Sequence, residues 1–397
     1  MGDGEYDIDD LAEYDDYDKW FNITSGGQDP LATGKPNMDW NSWRGASYIY
    51  NESWHPTSWT NAVASAFLKN YSNSPQDKPF LLKVSFHRPH SPYDPPERLL
   101  NTTLASDLPP IYAGTSFDKI WEGPSAFCGP SDPDAWCGKM PEPDLTLARR
   151  AYRANIRYVD EQIGHLLEDL DTFGLSSNTW IIFISDHGDG QGDHNLWRKC
   201  YPYELSSHVP GFIVWPESVQ SVIPRGSSTT LLSELRDIFP TLLDIAGHND
   251  LGANLNGSSW ACLVKNGLSG VSCGPGGNSD WRSVLGLEHS RIYNASIYWN
   301  AIVASGSTAG VLSGLKYIFW APTGEEQLFD LNKDPYEMID LSTDPSYQNS
   351  LLAMRALLVE QFNSENRGPE WVDSNGKLLI RTQGQTYSPN YPKSLLH

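Results

Sequence analysis

The stretch that most constrains this chain is Trp180-Ile-Ile-Phe-Ile184, an unbroken apolar run that stops abruptly at Ser185-Asp186-His187-Gly188. A short, isoleucine-rich run of this kind suits a strand buried on both faces, as in the parallel sheet of an α/β domain. In open α/β sheets ligands sit beyond the carboxyl ends of strands, and that is where Asp186 and His187 emerge. A carboxylate beside an imidazole makes half of a divalent-metal site. Taken alone, Asp-His-Gly serves equally well as a polar strand exit whose histidine is held by hydrogen bonds.

A second apolar run, Phe80–Phe86, reads as another buried strand and ends in His87-Arg88-Pro89-His90-Ser91-Pro92-Tyr93. Prolines on either side of His90 remove backbone donors and stiffen the loop, which holds an imidazole in one place. The clearest helix is 147–170, where Leu147, Ala151, Tyr158, Val159, Ile163, Leu166, Leu167 and Leu170 recur near the 3.6 period, with Asp144 as its cap. A short helix is expected over Trp59–Leu68, a strand over Gly211–Trp215, and a helix within Leu231–Gly247 closed by Gly247. Lys316–Trp320 and Gln327–Asp330 read as a hairpin-like pair, followed by a helix near Tyr347–Phe362. Residues 101–143 read as a long surface insertion.

With 28 Lys+Arg against 49 Asp+Glu, the net charge of −21 disfavours nucleic acid and anionic membranes as partners. A local cluster of cations can still hold an anionic substrate. No apolar run approaches the ~20 residues of a membrane-spanning helix. The acidic start, with Asp9-Asp10 and Asp15-Asp16, reads as a solvated, poorly ordered segment. Nothing apolar precedes Asp9-Asp10, so that pair is rejected as a metal-ligand pair. Six N-x-[ST] sequons, at Asn22, Asn51, Asn70, Asn101, Asn256 and Asn294, accompany five cysteines. Cys128/Cys137 and Cys262/Cys273 each bracket a short loop suited to a local disulfide, with Cys200 left over; free buried cysteines are the alternative. These features together favour a secreted or lysosome-like compartment, although no signal peptide follows Met1.

The longer string changes the reading of Asp-His-Gly. Asp186-His187-Gly188 is followed by Gly192-Asp193-His194, Trp197-Arg198-Lys199, Tyr203-Glu204 and Val209-Pro210. This resembles the sulfatase family of the alkaline-phosphatase-like superfamily, in its arylsulfatase and iduronate-2-sulfatase-like branch. The His87–Tyr93 segment, Tyr158–Gly164 and Asp330-Leu-Asn-Lys-Asp-Pro335 with Glu337 are similar to that family's segments, so that the resemblance covers about residues 35–365. It implies an α/β alkaline-phosphatase-like sandwich with a large mixed, mostly parallel sheet flanked by helices, plus a small C-terminal α+β unit. The expected division is an acidic segment 1–34, the sulfatase-type domain 35–284, and a C-terminal subdomain and tail 285–397.

The resemblance implies a hydrolase of sulfate esters acting on a sulfated small molecule or glycan. Asp186 and His187 would be two ligands of a divalent metal, with Ca²⁺ expected because oxygen-rich ligand sets suit a hard cation, and Mg²⁺ or Mn²⁺ as second choices. His90 and Lys199 would contact the sulfate group, with His87 structural. The family nucleophile is a formylglycine made from Cys or Ser in C-x-P-S-R. No such motif is present; Cys128-Gly-Pro-Ser-Asp132 comes nearest but carries Asp in place of Arg. The paired aspartates and the G-K-W-H segment are missing too. The expectation is therefore that the chain begins partway into the domain, through an incompletely read gene, and is inactive in the form given. Two other readings compete: a phosphonate or phosphate ester hydrolase of the same superfamily, and a non-catalytic protein that binds sulfate or glycan.

Overall fold

A computed structural model describes residues 16–36, 38, 42–74, 78–113, 140–248, 255–275, 279–289 and 298–381. The chain divides into two compact units, residues 1–111 with 129–179, and 112–128 with 180–397. The Cys128/Cys137 pair and Asn294 lie outside the described residues.

The first unit is helical. Helix α1 (Asp16–Ser25) corrects the expectation of a poorly ordered start over its ten residues. Its aromatic residues supply the apolar face: Phe21 is fully buried, with the Tyr50 and Trp54 rings edge-on at 5.3 and 6.1 Å. Helix α2 (Pro56–Ser72) extends the expected short helix at both ends. Pro56 suits a first-turn position whose N–H has no helical partner, and His55 Nδ1 caps by accepting from Thr57 N at 3.1 Å. Helix α3 (Glu97–Thr102) precedes the long helix α4 (Asp144–Thr172). In α4 the buried positions Ala148, Ala151, Asn155, Tyr158 and Gln162 repeat at three and four residues, the one-faced pattern of an amphipathic helix. Asp144 is its first residue rather than its cap, a place where a carboxylate favourably meets the helix dipole. Small side chains on α4 admit the neighbouring backbone: a β-carbon at Gly45 would lie 2.7 Å from Ala151 Cβ.

Phe80–Phe86 forms no strand. Its exposure alternates residue by residue, with Leu81 74% exposed. Strand propensity is present, but no neighbouring ladder among the described residues takes up its hydrogen bonds.

In the second unit, β1 (Ile181–Ile184), the short helix α5 (Glu204–Ser207) and β2 (Gly211–Val214) come first. β1 pairs antiparallel with β2, Ile181 opposite Val214 and Ile184 opposite Gly211. The expected parallel neighbours and two-sided burial are not found for this strand among the described residues. With a single partner, Ile184 stays 40% and Phe212 52% exposed. Helices α6 (Ile238–Ile245) and α7 (Trp260–Asn266) follow, and the Cys262–Cys273 disulfide ties α7 to the loop after it. Cys200 is a free thiol.

The chain then builds a four-stranded antiparallel sheet from β3 (Val284–His289), β4 (Trp299–Ala304), β5 (Leu315–Trp320) and β6 (Glu325–Asp330), in that spatial order. The expected hairpin is the β5–β6 pair. Alternate residues point to opposite faces. Ile302, Ala304, Leu315, Tyr317, Phe319 and Leu328 pack under α8 (Gln348–Ser364), against its Leu351, Met354, Leu358 and Phe362. The other face carries Trp299 and Trp320, opposite each other in register, together with Lys316 (opposite Val303 and Phe329) and Gln327 (opposite Ile318). That face supports residues 197–207: Trp299 Nε1 donates to Cys200 O at 2.8 Å, and Tyr203 OH to Gln327 Oε1 at 3.1 Å.

Candidate active site

The predicted residues fall into both units. Asp186, His187 and Lys199 belong to the second, His90 to the first.

In the second unit β1 delivers Ser185-Asp186-His187 into a loop folded tightly on α5. Gly188 N donates to Ser206 O at 2.8 Å, and a β-carbon at Gly188 would lie only 2.1 Å from Leu205 O. Only glycine fits so close an approach. Asp186 Oδ1 accepts from His187 N at 3.0 Å, while His187 Nδ1 lies 2.8 Å from Gly188 O. That carbonyl can only accept, so Nδ1 carries the proton and Nε2 keeps the lone pair. Nε2 lies 3.6 Å from Asp186 Oδ2, and the Asp186 side chain is 82% exposed. A basic nitrogen and a carboxylate oxygen thus converge on one accessible point, which fits two ligands of a single divalent cation. No group of three or more His, Cys, Asp or Glu side chains that could hold a metal ion occurs among the described residues.

Lys199 lies on the loop that begins at Gly190. Gly190 N donates to Arg198 O at 2.8 Å, and Arg198 N to Asp189 Oδ1 at 3.1 Å. Burial, together with the Arg198 charge, pushes the Lys199 ammonium below the ordinary lysine range, and the Asp189 and Asp186 carboxylates oppose that shift. Desolvation strengthens its pull on any anion brought to it. Asp189 is a residue the sequence reading missed: its Oδ1 also accepts from Gln191 N and Nε2, at 3.3 and 2.9 Å. Its place three residues after Asp186, amid glycines, was the available signal.

In the first unit the His90 loop is fastened by an Arg88–Asp94 fork, Nε to Oδ1 at 2.6 Å and Nη2 to Oδ2 at 2.9 Å. Burial would raise the Asp94 carboxyl, but the Arg88 guanidinium holds it below the usual carboxylate range. Behind the fork, Ala46 N donates to Tyr93 O at 3.0 Å and Tyr48 N to Pro95 O at 2.9 Å. Arg88 Nη1 donates to His87 Nδ1 at 2.6 Å, so that imidazole serves the fork. His90 Nδ1 donates to Ser91 O at 3.0 Å, which fixes its tautomer. Arg88 and Asp94 were not singled out in the sequence, because nothing local marks a pair six residues apart as buried.

A sequence profile described as Sulfatase matches residues 15–248. The arylsulfatase of Clostridium perfringens is 35% identical over 370 residues, 93% of this chain and 69% of that protein. The choline-sulfatase of Rhizobium meliloti is 31% identical, over 72% of this chain and 52% of its own length; the chain thus spans about half to two thirds of these relatives. Among solved structures, the phosphonate monoester hydrolase of Agrobacterium radiobacter superposes with a TM-score of 0.65 at 24% identity, covering 87% of this chain and 69% of that one. The shared fold is the alkaline-phosphatase-like α/β architecture. The family is one of metal-dependent enzymes that use formylglycine. By the profile match and its likeness to the Clostridium enzyme, the chain belongs to the sulfatase family.

Proposed function

We propose that the protein hydrolyses sulfate esters, with Lys199 and His90 contacting the sulfuryl oxygens and Asp186 and His187 as two ligands of Ca²⁺. The observation that carries this reading is the convergence of His187 Nε2 and Asp186 Oδ2 at 3.6 Å, on a loop shared with a desolvated Lys199. Asp186 and His187 would hold the divalent cation, which when bound would take up charge on the substrate and orient a nucleophile. The Lys199 ammonium donates to a non-bridging oxygen as negative charge builds there, and a donor placed before the reaction needs no reorganisation. With the His90 Nδ1 proton committed to Ser91 O, Nε2 is left for the substrate, and it donates to a sulfuryl oxygen in the imidazolium form, where both ring nitrogens carry protons. Asp189 keeps the Lys199 loop folded and does not touch substrate.

The substrate is read as a sulfated small molecule or glycan, and the setting as secreted or lysosome-like. No described helix is long and apolar enough to cross a membrane. Five of the six sequon asparagines are described, and all five are exposed. The division into 1–34, 35–284 and 285–397 stands as a proposal, with β3 opening at Val284.

The competing phosphonate reading is favoured by the Agrobacterium likeness and is separated from this one by substrate preference. Protein expressed from the complete gene is expected to hydrolyse p-nitrophenyl sulfate at least ~100-fold faster, in kcat/KM, than p-nitrophenyl phenylphosphonate, a gap of about 2.7 kcal/mol. The reverse order would replace the sulfatase reading by the phosphonate one. Calorimetric titration of that protein with Ca²⁺ is expected to lose about 100-fold in affinity on Asp186→Ala. Unchanged Ca²⁺ binding in the variant would remove Asp186 from the ligand set.

A further inference from the structure

Among the described residues, eight that are not glycine have left-handed backbone angles. Five of them, Gln191, His194, Asn195, Arg198 and Cys200, fall within ten residues, and a sixth is Glu337. Each such residue costs about 1–2 kcal/mol. A loop holding several keeps its shape only if fastened from outside. Lys199 sits between two of them, Arg198 at φ 73° and Cys200 at φ 77°.

The fastenings can be traced. Cys200 N donates to Ser206 Oγ at 3.1 Å, and Cys200 O accepts from Trp299 Nε1 at 2.8 Å. Where the loop enters α5, Glu204 N donates to Glu337 Oε2 at 2.6 Å. Glu337 is 1% exposed and is itself pinned by Lys316, fully buried on β5, whose Nζ lies 2.9 Å from Glu337 Oε1 and 2.8 Å from Glu204 Oε1. A buried ion cluster of this kind adds little net stability compared with apolar packing. It does fix geometry, because a carboxylate with one oxygen on an ammonium and the other on a backbone N–H has a single orientation.

We propose that Glu337 is a positioning residue: held by Lys316, it keeps the strained 191–204 loop folded and so aims the Lys199 ammonium. The proposal rests on the reading of Lys199 as the sulfate-facing cation. Glu337 and Lys316 touch no substrate. Their effect passes through the backbone of the loop.

Glu337→Gln keeps the shape but offers one carbonyl oxygen to two donors, so one fastening is lost. The test is a double-mutant cycle read by calorimetric titration with inorganic sulfate, on wild type, Glu337→Gln, Lys199→Ala and the double variant. Glu337→Gln is expected to weaken sulfate about tenfold, the order of one lost charge-assisted hydrogen bond. In the Lys199→Ala background it should add less than about twofold, because residues acting through one group are not additive. Equal weakening in both backgrounds would overturn the proposal, leaving Glu337 a general packing anchor.

A second readout needs no sulfate. Limited trypsin digestion is expected to cut after Arg198 and Lys199 about tenfold faster in Glu337→Gln, with cutting after the exposed Arg236 unchanged. Equal acceleration at all sites would also overturn the proposal. If Lys199→Ala leaves sulfate binding intact, the reading of Lys199 falls, and the trypsin ratio still decides whether Glu337 holds the loop. Should Glu337→Gln fail to fold, Glu337→Asp, which keeps the charge on a shorter stem, is measured in its place with the same expectations.

Discussion

Asp237→Ala is expected to destabilise the second unit by about 3–5 kcal/mol, the range for breaking a buried ion pair by removing one partner. Asp237 is fully buried and accepts from four donors: Arg282 Nη1 at 2.8 Å, Arg282 Nη2 at 2.5 Å, Ser258 N at 2.7 Å and Glu234 N at 2.9 Å. Alanine would remove the Arg282 guanidinium's paired carboxylate, leaving a side chain that is 10% exposed with Leu232 O and Ser258 Oγ as acceptors and Glu234 Oε1, at 3.6 Å, as its nearest remaining carboxylate oxygen. It would also leave two backbone N–H groups without acceptors. Thermal melting by circular dichroism should show a loss of about 10 °C. Lys265→Ala, which removes an exposed partner of Asp244, is the control and should cost under about 1 kcal/mol. Similar melting of the two variants would mean that the Asp237 network is far looser than its geometry suggests.

The second large effect is on chemistry. Lys199→Ala, in protein from the complete gene, is expected to lower kcat/KM for p-nitrophenyl sulfate by about 10²–10³, the scale for removing one preorganised donor from a developing oxyanion. Lys199→Arg should recover only part of this, since a planar fork does not reproduce a point charge aimed from a fixed backbone. A loss below about tenfold would take Lys199 out of the site. Melting temperatures within a few degrees of wild type would confine the effect to catalysis.

These two residues also mark what could be read in advance. Lys199 could be singled out as a candidate because Trp197-Arg198-Lys199 follows the Asp-His-Gly exit in a string that resembles the sulfatase family. Periodicity gave α4, and the apolar-rich runs Lys316–Trp320 and Gln327–Asp330, read as a hairpin-like pair, gave β5 and β6. Asp237 was illegible: its donors come from Glu234, Ser258 and Arg282, up to 45 residues away. Lys316 was equally hidden. Inside Leu-Lys-Tyr-Ile-Phe-Trp a lysine suggests a solvent-facing position, and its burial depends on a carboxylate 112 residues earlier. The strand readings fared differently: Ile181–Ile184 is a strand as expected, but antiparallel and partly exposed, whereas Phe80–Phe86 is not a strand. Ile181–Ile184 and Phe80–Phe86 have the composition of buried strands, but burial depends on which ladders flank a strand, and composition does not encode its neighbours. Among the described residues β1 pairs with β2 alone, and Phe80–Phe86 pairs with none.

Lys316 has a consequence for how the C-terminal sheet assembles. A sheet collapsing from an unfolded chain can mispair by one residue, and the aromatic-rich β5 offers many near-equivalent contacts in such a slipped decoy. Sliding β5 by one position turns its side chains over, which would drive the Lys316 ammonium among Leu351, Met354 and Leu358 and strand Glu204 and Glu337 without their cation. An unpaired buried charge costs several kcal/mol, enough to empty that trap. The lysine thereby acts as a proofreading device for folding, separating the native pairing from its nearest competitor by charge where shape alone would not.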